Sequence, residues 1–361
     1  MKIIYDHDIF SSQKIGGITI YFKNIYDFLK LNENNIIISI PFLITFNIFL
    51  SETKKNNIFI KIINFFLSKK RFIYSKINDF YYLFKKFEKV DIYHSTLYSK
   101  RTFKGAKKII TIHDMIPEKY LWKYNPHTNK FIAAKNSDLI LSVSKKTKDD
   151  IISLYKIDKN KIEVIPNCLN FDYWIEKKNS DIKIHYKYFL YVGDRKSSHK
   201  NFDFLLSSFS KLEDNNIKLI CCGAEKFNEY EKKLIINLGI ENRILNFSYL
   251  STNNLNYLYQ NALAYISVSL DEGFGIPALE AFASGTNLIL NDIKIYREIF
   301  SNNDYFYKNN DKNSLIKLMN LIIDRKIQPN YNNEVKIMKK KFHLDNVMQM
   351  YINLYKKIIT D

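Results

Sequence analysis

Short apolar segments alternate with helical segments along nearly the whole chain, and this alternation constrains the fold more than any other feature. The apolar segments are rich in β-branched and aromatic residues and carry little charge, which is typical of parallel strands buried on both faces. They span residues 1–6, 36–40, 90–94, 108–117, 137–144, 161–167, 188–192, 217–223, 244–249, 264–269 and 287–291. Strands that alternate with helices form parallel sheets with right-handed crossovers. The sequence therefore predicts an α/β fold built on doubly wound parallel sheets.

The length of the chain and one irregular stretch indicate two such sheets. A chain of 361 residues is long enough for two domains of ordinary size, each with its own core. Residues 170–186 lack a clear hydrophobic period and mix both charges, which suits a crossing between domains. We therefore predict two Rossmann-like domains facing across a cleft, residues 1–170 and 171–340, followed by a C-terminal segment, residues 341–361.

The chain is strongly basic, with a net charge of +18 from 55 Lys and Arg against 37 Asp and Glu. Such a surface favours polyanionic partners. Residues 54–89 concentrate the charge, because ten basic residues are interleaved there with aromatic ones and oppose only Asp79 and Glu88. A helix with these two faces could lie on an anionic membrane, each basic residue contributing on the order of 1 kcal/mol. The aromatic residues could equally be core beneath a solvated basic face. No recognition motif accompanies the charge, so we expect no nucleic-acid partner.

Two further features bear on location. The three cysteines, Cys168, Cys221 and Cys222, form neither a metal-binding spacing nor a disulfide framework, which favours a reducing compartment. Asp6 and Asp8 interrupt the first apolar run, so we expect no signal peptide. We predict a cytoplasmic protein, with peripheral attachment to the inner face of the cell membrane as an option.

A strand, a glycine turn and a helix follow one another around residues 264–281. Gly273 and Gly275 allow the backbone to approach a ligand closely, and Pro277 suits the first turn of a helix. The free N–H groups at such a helix start suit a phosphate or an anionic sugar nucleotide. Glu272 and Glu280 flank the turn, and carboxylates are good acceptors for the hydroxyl groups of a sugar and a ribose. A surface loop before an acidic helix start is the alternative; the complete string E-G-F-G-I-P-A-L-E-A favours a site.

A second apolar strand, residues 188–192, also meets a glycine and then cations. Arg195 and Lys200 bracket this loop, and Asn201 begins the next helix. A guanidinium and an ammonium group are suited to the negative charge that builds on a departing diphosphate. In so basic a chain, solvated surface cations are the alternative.

Three features of the first half are weaker candidates for ligand contacts. Gly16 and Gly17 lie between the first strand and a helix, where they could cradle a phosphate or simply form a tight turn. His113 ends a predicted parallel strand, and ligands gather at such ends. His94 ends another strand, and position alone makes it a weak acceptor-side candidate.

The string E-G-F-G-I-P-A-L-E-A resembles the glutamate–seven–glutamate motif of the retaining glycosyltransferases of family 4, which have the two-domain GT-B fold. The resemblance implies that Glu272 contacts the donor sugar and Glu280 holds the ribose. It also implies that the backbone amides of Phe274, Gly275 and Ile276 meet sugar or phosphate. The resemblance extends over nearly the whole chain and is closest to a bacterial polysaccharide branch that includes mannosyltransferases.

The same resemblance gives roles to residues outside the motif. It implies that Arg195 and Lys200, five residues apart after a Val-Gly strand end, hold the diphosphate, and that His113 approaches the donor sugar. Gly16 and Gly17 match a Gly-Gly-Ile that faces the donor phosphates and the acceptor. Many family members follow this with an Arg where the chain has Ile20, so that contact is not expected here. The final helix, residues 341–361, should cross back to the first domain.

We therefore expect a retaining hexosyltransferase that uses a nucleotide sugar, with GDP-mannose favoured and UDP-sugars possible. The resemblance implies a lipid-linked or polysaccharide acceptor in cell-surface glycan synthesis. No convincing Asp-x-Asp pattern appears, and cations are available for the leaving group, so we expect no essential metal or other cofactor. The alternative is a non-catalytic membrane- or polyanion-binding protein on the same scaffold, since a fold does not guarantee activity.

Overall fold

The computed structural model describes residues 1–14, 16–51, 71–120, 127–223, 225–248, 250–325 and 331–360. Its contacts divide the chain into two compact units. Unit 1 comprises Met1–Asn167 together with Asp345–Asp361, and unit 2 comprises Cys168–Leu344. Within these described ranges, each unit contains one six-stranded sheet. None of the described helices is long and apolar enough to cross a membrane.

All neighbouring strands in the sheet of unit 1 are parallel. The strands are β1 (Lys2–Tyr5), β2 (Ile37–Ser39), β3 (Ile92–Ser95), β4 (Lys107–Ile112), β5 (Leu139–Ser142) and β6 (Ile162–Val164). They lie in the order β2-β1-β3-β4-β5-β6. The register places Ile4 opposite Tyr93 and Ile110 opposite Ile140, and all four side chains are buried. This parallel sheet is what near-continuous apolar runs predict.

Helices connect the strands of unit 1. They are α1 (Asp8–Ser12), α2 (Gly17–Asn32), α3 (Ile48–Ser51), α4 (Arg71–Phe84), α5 (Ile116–Tyr120), α6 (His127–Lys135) and α7 (Lys145–Tyr155). The start of α7 shows how local sequence sets a helix boundary. Ser144 is extended, and its hydroxyl accepts a hydrogen bond of 3.0 Å from the N–H of Thr147, so one of the free N–H groups of the first turn is satisfied.

The sheet of unit 2 is also parallel throughout. Its strands are β7 (Tyr188–Val192), β8 (Lys218–Cys222), β9 (Ile244–Phe247), β10 (Ala264–Ser267), β11 (Leu288–Asn291) and β12 (Phe306–Tyr307). They lie in the order β12-β11-β10-β7-β8-β9. The core packs on strand residues such as Phe189, Leu219, Ile266 and Ile289, which are fully buried. Cys221 and Cys222 are buried strand residues and free thiols.

Helices also connect the strands of unit 2. They are α8 (Phe171–Ile175), α9 (Phe202–Phe209), α10 (Glu229–Asn237), α11 (Thr252–Asn261), α12 (Ile276–Ala283), α13 (Lys294–Ile299), α14 (Lys312–Ile323) and α15 (Tyr331–Phe342). Ser251 caps α11 by accepting a hydrogen bond of 3.3 Å from the N–H of Asn254. The helix that follows the glycine turn, α12, begins at Ile276 with Pro277 in its first turn, as the sequence predicted.

The sequence also predicts one long helical region from about residue 333 to 359, and that prediction was wrong at one point. The tail is divided at His343 between α15 and α16 (Leu344–Thr360). Leu169 interrupts the helix, because its N–H donates to Phe342 O (2.9 Å) and its carbonyl accepts from Leu344 N (3.1 Å). Beyond this break, α16 packs in unit 1, where the hydroxyl groups of Tyr355 and Tyr5 lie 2.8 Å apart.

Candidate active site

The loops after β7 and β10 lie side by side in unit 2. From β7 the chain builds outward to β8 and β9, then returns to place β10 on the other side of β7. The carboxyl ends of such a strand pair form a topological switch point, where open α/β sheets bind their ligands. A hydrogen bond of 2.7 Å from Leu270 N to His199 O joins the two loops. This bond fixes the backbone that carries the predicted acidic and cationic residues.

Lys200 and Glu272 meet across these two loops. The Lys200 ammonium lies 2.5 Å from Oε1 of Glu272, and the two side chains are 21% and 14% exposed. Burial acts to raise the pKa of Glu272, but the charge and hydrogen bond of Lys200 outweigh it and hold the pKa below its ordinary value. The carboxylate is therefore ionised at neutral pH and can accept hydrogen bonds from sugar hydroxyls. The ammonium group beside it has the charge and the donors that suit a phosphate.

Arg195 does not join this pair. Its side chain is almost fully buried, with Nε 2.8 Å from Oε1 of Glu231 and Nη2 donating to the carbonyl of Glu225 over 2.6 Å. The guanidinium carbon lies 4.6 Å from the centre of the Phe227 ring. Nη1 is buried and has no hydrogen-bond partner among the described residues. Arg195 is therefore not the solvated surface cation that was the alternative reading: it is a fixed, buried guanidinium, and Nη1 is its one donor group without a partner among the described residues. Its contact with a diphosphate stays a prediction.

Glu280 is the second carboxyl group of the motif and lies in α12. It is partly buried, and the Tyr259 hydroxyl donates to its Oε2 over 3.1 Å. Burial raises the pKa of Glu280 to about 7, although the bond from Tyr259 opposes this. Near neutral pH the group therefore exists in both protonation states, and a hydroxyl ligand can satisfy it as either donor or acceptor.

The turn between these carboxyl groups requires glycine at one position. Gly275 has φ of 89°, in the left-handed region, and a Cβ there would lie 2.6 Å from Cε1 of Tyr296. Phe274 is buried and packs edge to face on Phe342, with ring centres 5.5 Å apart. The side chain of Phe274 thus points into the core of unit 2. The predicted contacts of the backbone amides of Phe274, Gly275 and Ile276 with sugar or phosphate stay a prediction.

Asn201 lies where the cationic loop enters α9. Its φ of 54° is left-handed, which Asn tolerates better than most residues, and it joins a short 3-10 turn to the helix. Its side-chain amide contacts Asn310 Oδ1 at 3.4 Å. At the start of the same loop, Asp194 accepts hydrogen bonds from the N–H and the hydroxyl of Ser197. The loop is therefore held by its own side chains.

The two predicted histidines of unit 1 have different surroundings. His113 follows β4, and its ring packs edge to face on Tyr21 with centres 4.8 Å apart. Its Nε2 has no hydrogen-bond partner among the described residues. Burial, with Lys130, lowers the pKa of His113 to about 3, so the ring is neutral. His94 is fully buried within β3, where its ring nitrogens bond to Tyr355 (2.7 Å) and Thr111 (2.8 Å). This placement corrects the acceptor-side prediction for His94, because both nitrogens are used in the core.

Gly16 and Gly17 mark the start of α2. Gly17 is its first residue, and Gly16 caps it, with its N–H donating to Thr19 Oγ1 (2.9 Å) and its carbonyl accepting from the same hydroxyl (2.7 Å). Gly16 has φ of 179°, which any residue adopts. The pair therefore opens a helix of 16 residues without backbone strain. Its role toward phosphate stays a prediction.

Sequence reasoning missed Glu231, which fixes Arg195, and Tyr259, which holds Glu280. The spacing from Asn228 to Glu231 is that of a capping box, and both of its hydrogen bonds are present at the start of α10. That signal identifies a helix start and says nothing about Arg195. The second oxygen of Glu231 serves the cap, and the first serves the guanidinium.

Comparison with known proteins identifies the family. The model of "Glycosyl transferases group 1" matches residues 172–341, and that of "Glycosyltransferase Family 4" matches residues 45–173. The O-antigen chain mannosyltransferase RfbU of Salmonella typhimurium is 30% identical over 251 residues, which cover 68% of each chain. This chain belongs to glycosyltransferase family 4. The E-G-F-G-I-P-A-L-E-A motif had indicated that family, and the prediction is confirmed.

Another relative and two solved structures are also similar to this chain. A Campylobacter jejuni α-N-acetylgalactosaminyltransferase, named for a diphospho-undecaprenol-linked substrate, is 26% identical over 227 residues, 61% of each chain. A glycosyltransferase from Rickettsia africae superposes over 100% of this chain and 99% of its own, with a TM-score of 0.71 at 22% identity. Anabaena HepE, solved with UDP and glucose, covers 99% of both chains with a TM-score of 0.72 at 15% identity. The fold is GT-B, as predicted.

Proposed function

We propose that this glycosyltransferase is a retaining hexosyltransferase that takes a hexose from a nucleotide sugar, with GDP-mannose as the preferred donor. The observation that carries the proposal is the Lys200–Glu272 pair, 2.5 Å apart at the switch point of unit 2. The Lys200 ammonium suits a phosphate, and the Glu272 carboxylate suits the hydroxyl groups of a sugar. The 30% identity to an O-antigen chain mannosyltransferase favours GDP-mannose over UDP-sugars and a lipid-linked or polysaccharide acceptor.

The proposed mechanism uses the charged groups of unit 2. Lys200 and Nη1 of Arg195, which has no hydrogen-bond partner among the described residues, stabilise the negative charge that develops on the departing diphosphate. Glu272 orients the donor sugar, while Glu280 binds the ribose hydroxyls. The acceptor hydroxyl attacks the anomeric carbon on the face that the diphosphate leaves, so the configuration is retained. The leaving phosphate oxygen takes the proton of the attacking hydroxyl.

A double displacement of the glycosidase type is the other route to retention. It uses two carboxyl groups about 5–5.5 Å apart, one of them as nucleophile. Glu272 forms an ion pair with Lys200, which keeps the carboxylate charged and oriented. Glu280 is held separately by Tyr259 and is assigned to the ribose. These two environments favour a positioning role for Glu272 over a nucleophilic one.

The test of the proposed function is transfer by the purified protein. GDP-mannose and a panel of UDP-sugars would be incubated with it, nucleotide release measured, and the anomeric configuration of the product determined by NMR. We expect release of GDP and an α-linked product, and a loss of at least 100-fold in Glu272→Gln. Glu229→Gln is the matched control, because Glu229 is an exposed carboxylate whose side chain pairs with the exposed Lys232. Full activity of Glu272→Gln, or an inverted product, would contradict the proposal.

We also propose that α4 contacts an anionic membrane. Much of the basic segment 54–89 lies outside the described residues, which resume at Arg71. The end of α4 exposes Phe80, Leu83 and Phe84, by 63%, 79% and 70%, and the exposed Lys85 and Lys86 follow directly. Exposed apolar side chains beside lysines suit the interface of an anionic bilayer.

Vesicle sedimentation tests this contact. We expect binding to vesicles containing phosphatidylglycerol and little binding to pure phosphatidylcholine, with a loss of at least threefold in Leu83→Ser. Leu31→Ser is the matched control, because Leu31 is equally exposed, at 79%, on α2. Equal binding of both variants would contradict the assignment to α4.

A further inference from the structure

A buried asparagine side chain joins two loops at the carboxyl edge of the sheet in unit 2. Asn291 is the last residue of β11, which lies beside β10, and it is fully buried. Its Nδ2 donates to the carbonyl of Ser269 over 2.9 Å and to Oδ1 of Asn309 over 2.9 Å. Ser269 lies in the loop after β10, which carries Glu272, and Asn309 lies in the turn after β12. The Asn291 side chain therefore ties the loop with Glu272 to this turn.

The turn after β12 also contacts the loop that carries Lys200. A backbone hydrogen bond of 3.0 Å closes this turn over residues 308–311. Within it, Oδ1 of Asn310 accepts from Nδ2 of Asn201 over 3.4 Å, and Asn201 directly follows Lys200. The turn therefore connects both loops of the candidate site, although it carries neither of their charged residues. We call the four amide side chains the asparagine bridge: Asn201, Asn291, Asn309 and Asn310.

The contact with Ser269 fixes the direction in which the Asn291 amide points. A carbonyl oxygen only accepts hydrogen bonds, so Nδ2 must face it, and the two contacts use both hydrogens of Nδ2. The other amide atom, Oδ1, is buried and has no hydrogen-bond partner among the described residues. An unsatisfied buried acceptor lowers stability. A side chain that keeps one is expected where it supports function as well as the fold.

Ser269 connects Asn291 to the carboxylate of Glu272. Ser269 is buried, and its carbonyl accepts the hydrogen bond from Asn291. Burial acts to raise the pKa of Glu272, whereas the charge of Lys200 and hydrogen bonds from Lys200 and the Ser269 side chain lower it. Ser269 is therefore held through its backbone by Asn291 and acts on Glu272 through its side chain. A displacement of Ser269 would change the position of the carboxylate that suits sugar hydroxyl groups.

We propose that Asn291 is a positioning residue that holds Ser269, and through it Glu272, in the geometry that binds the sugar part of a nucleotide sugar. The assignment of this ligand rests on the proposed function. The competing explanation is that Asn291 only joins two strands. Asn287 makes that simpler contact at the other end of β11, where its Nδ2 donates to the carbonyl of Leu263, just before β10, over 2.9 Å. Both asparagines thus bond β11 to the chain of β10, and Asn291 is the one that adjoins the candidate site.

Hydrogen exchange of the protein without ligand tests whether Asn291 holds the loop after β10. Peptides covering residues 268–276 would be compared in the wild type, Asn291→Ala and the matched control Asn287→Ala. We expect exchange at least tenfold faster in Asn291→Ala and within twofold of the wild type in Asn287→Ala. Asn309→Ala should speed exchange at least twofold and decides the matter if Asn291→Ala does not fold, because Asn309 is exposed. Exchange in these variants equal to that of the wild type would overturn the proposal.

Calorimetry tests whether this contact serves sugar recognition. GDP-mannose and GDP would be titrated into the same proteins, followed by UDP-sugars and UDP. For the nucleotide sugar that the wild type binds, Asn291→Ala should lose at least fivefold in affinity, while its affinity for the matching nucleoside diphosphate should change less than twofold. Asn287→Ala should bind both ligands as the wild type does. Equal losses for the two ligands, or no loss for either, would show that Asn291 supports only the fold.

The two experiments separate this proposal from the proposed function. If the wild type bound no nucleotide sugar, the proposed function would fail and with it the sugar role of Asn291, while hydrogen exchange would still decide whether Asn291 holds the loop. If the wild type bound a nucleotide sugar and Asn291→Ala bound it equally well, the proposed function would stand and the positioning role would be overturned.

Discussion

Replacement of Arg195 by Ala should destabilise unit 2 as well as affect transfer. The side chains of Arg195 and Glu231 are only 3% and 6% exposed. Removal of one partner from a buried ion pair leaves the other charge uncompensated and costs about 3–5 kcal/mol. Glu231 keeps the hydrogen bond from Asn228 N in the capping box, which favours the lower end, about 3 kcal/mol. For a unit of this size, about 2–4 °C per kcal/mol gives a fall of about 6–12 °C in melting temperature.

The neighbouring lysine provides a matched control. Lys196 lies 2.9 Å from Glu225, but its side chain is 64% exposed and that of Glu225 69%. Exposed pairs of this kind contribute about 0–1 kcal/mol. Lys196→Ala should therefore shift the unfolding transition little. Calorimetry or urea unfolding of both variants measures the difference, and an equal shift for the two would refute the argument from burial.

A double variant separates stability from catalysis. In Arg195→Ala/Glu231→Gln the buried carboxylate charge is gone, and Gln can still accept the capping-box hydrogen bond. We expect this protein to recover about half of the lost stability, roughly 1–2 kcal/mol. If Arg195 Nη1 binds the leaving diphosphate, transfer should stay about 100-fold below the wild type despite the recovered stability. If the double variant recovered both stability and transfer activity, Arg195 would support only the fold.

Two further predictions concern Glu280 and the glycine turn. Burial raises the pKa of Glu280 from an ordinary 4.5 to about 7. The contribution of protonated Glu280 to the free energy of unfolding is therefore fully present below about pH 4.5 and is lost as the pH rises to about 7. In urea unfolding, the free energy of unfolding of Glu280→Gln should exceed that of the wild type by about 3 kcal/mol at pH 8 and by little at pH 4. Gly275→Ala should cost about 2–4 kcal/mol, because it needs a left-handed φ and brings Cβ within 2.6 Å of Tyr296. Gly17→Ala, with open space at the helix start, should change stability by less than about 1 kcal/mol.

The sequence predicted those parts of the fold that depend on local pattern. Apolar runs alternating with helices led to two parallel sheets, and the glycine turn with Pro277 placed the start of α12. The loops that carry Lys200 and Glu272 could be placed at the same edge of a sheet from the sequence. Each loop follows an apolar strand, and the carboxyl ends of parallel strands share one edge. Their 2.5 Å contact follows from the adjacency of β7 and β10, which no local signal encodes.

The remaining features depend on contacts between residues far apart in the chain. Glu231 lies 36 residues after Arg195, so their pairing appears only when α10 packs beside the β7 loop. His94 looked accessible at a strand end, but Tyr355, 261 residues away on α16, covers one of its nitrogens. The break at His343 likewise depends on Leu169. Periodicity and composition carry no information on such pairings.

Calorimetric titration of GDP-mannose into the wild type, Lys200→Met and Lys196→Met tests the central claim most directly. If Lys200 and Glu272 form the donor site at the switch point of unit 2, the wild type and Lys196→Met should bind with equal affinity. Lys200→Met should then bind at least tenfold more weakly, a loss of about 1.4 kcal/mol. Equal affinity in all three proteins, or no binding of GDP-mannose or UDP-sugars to the wild type, would contradict the account.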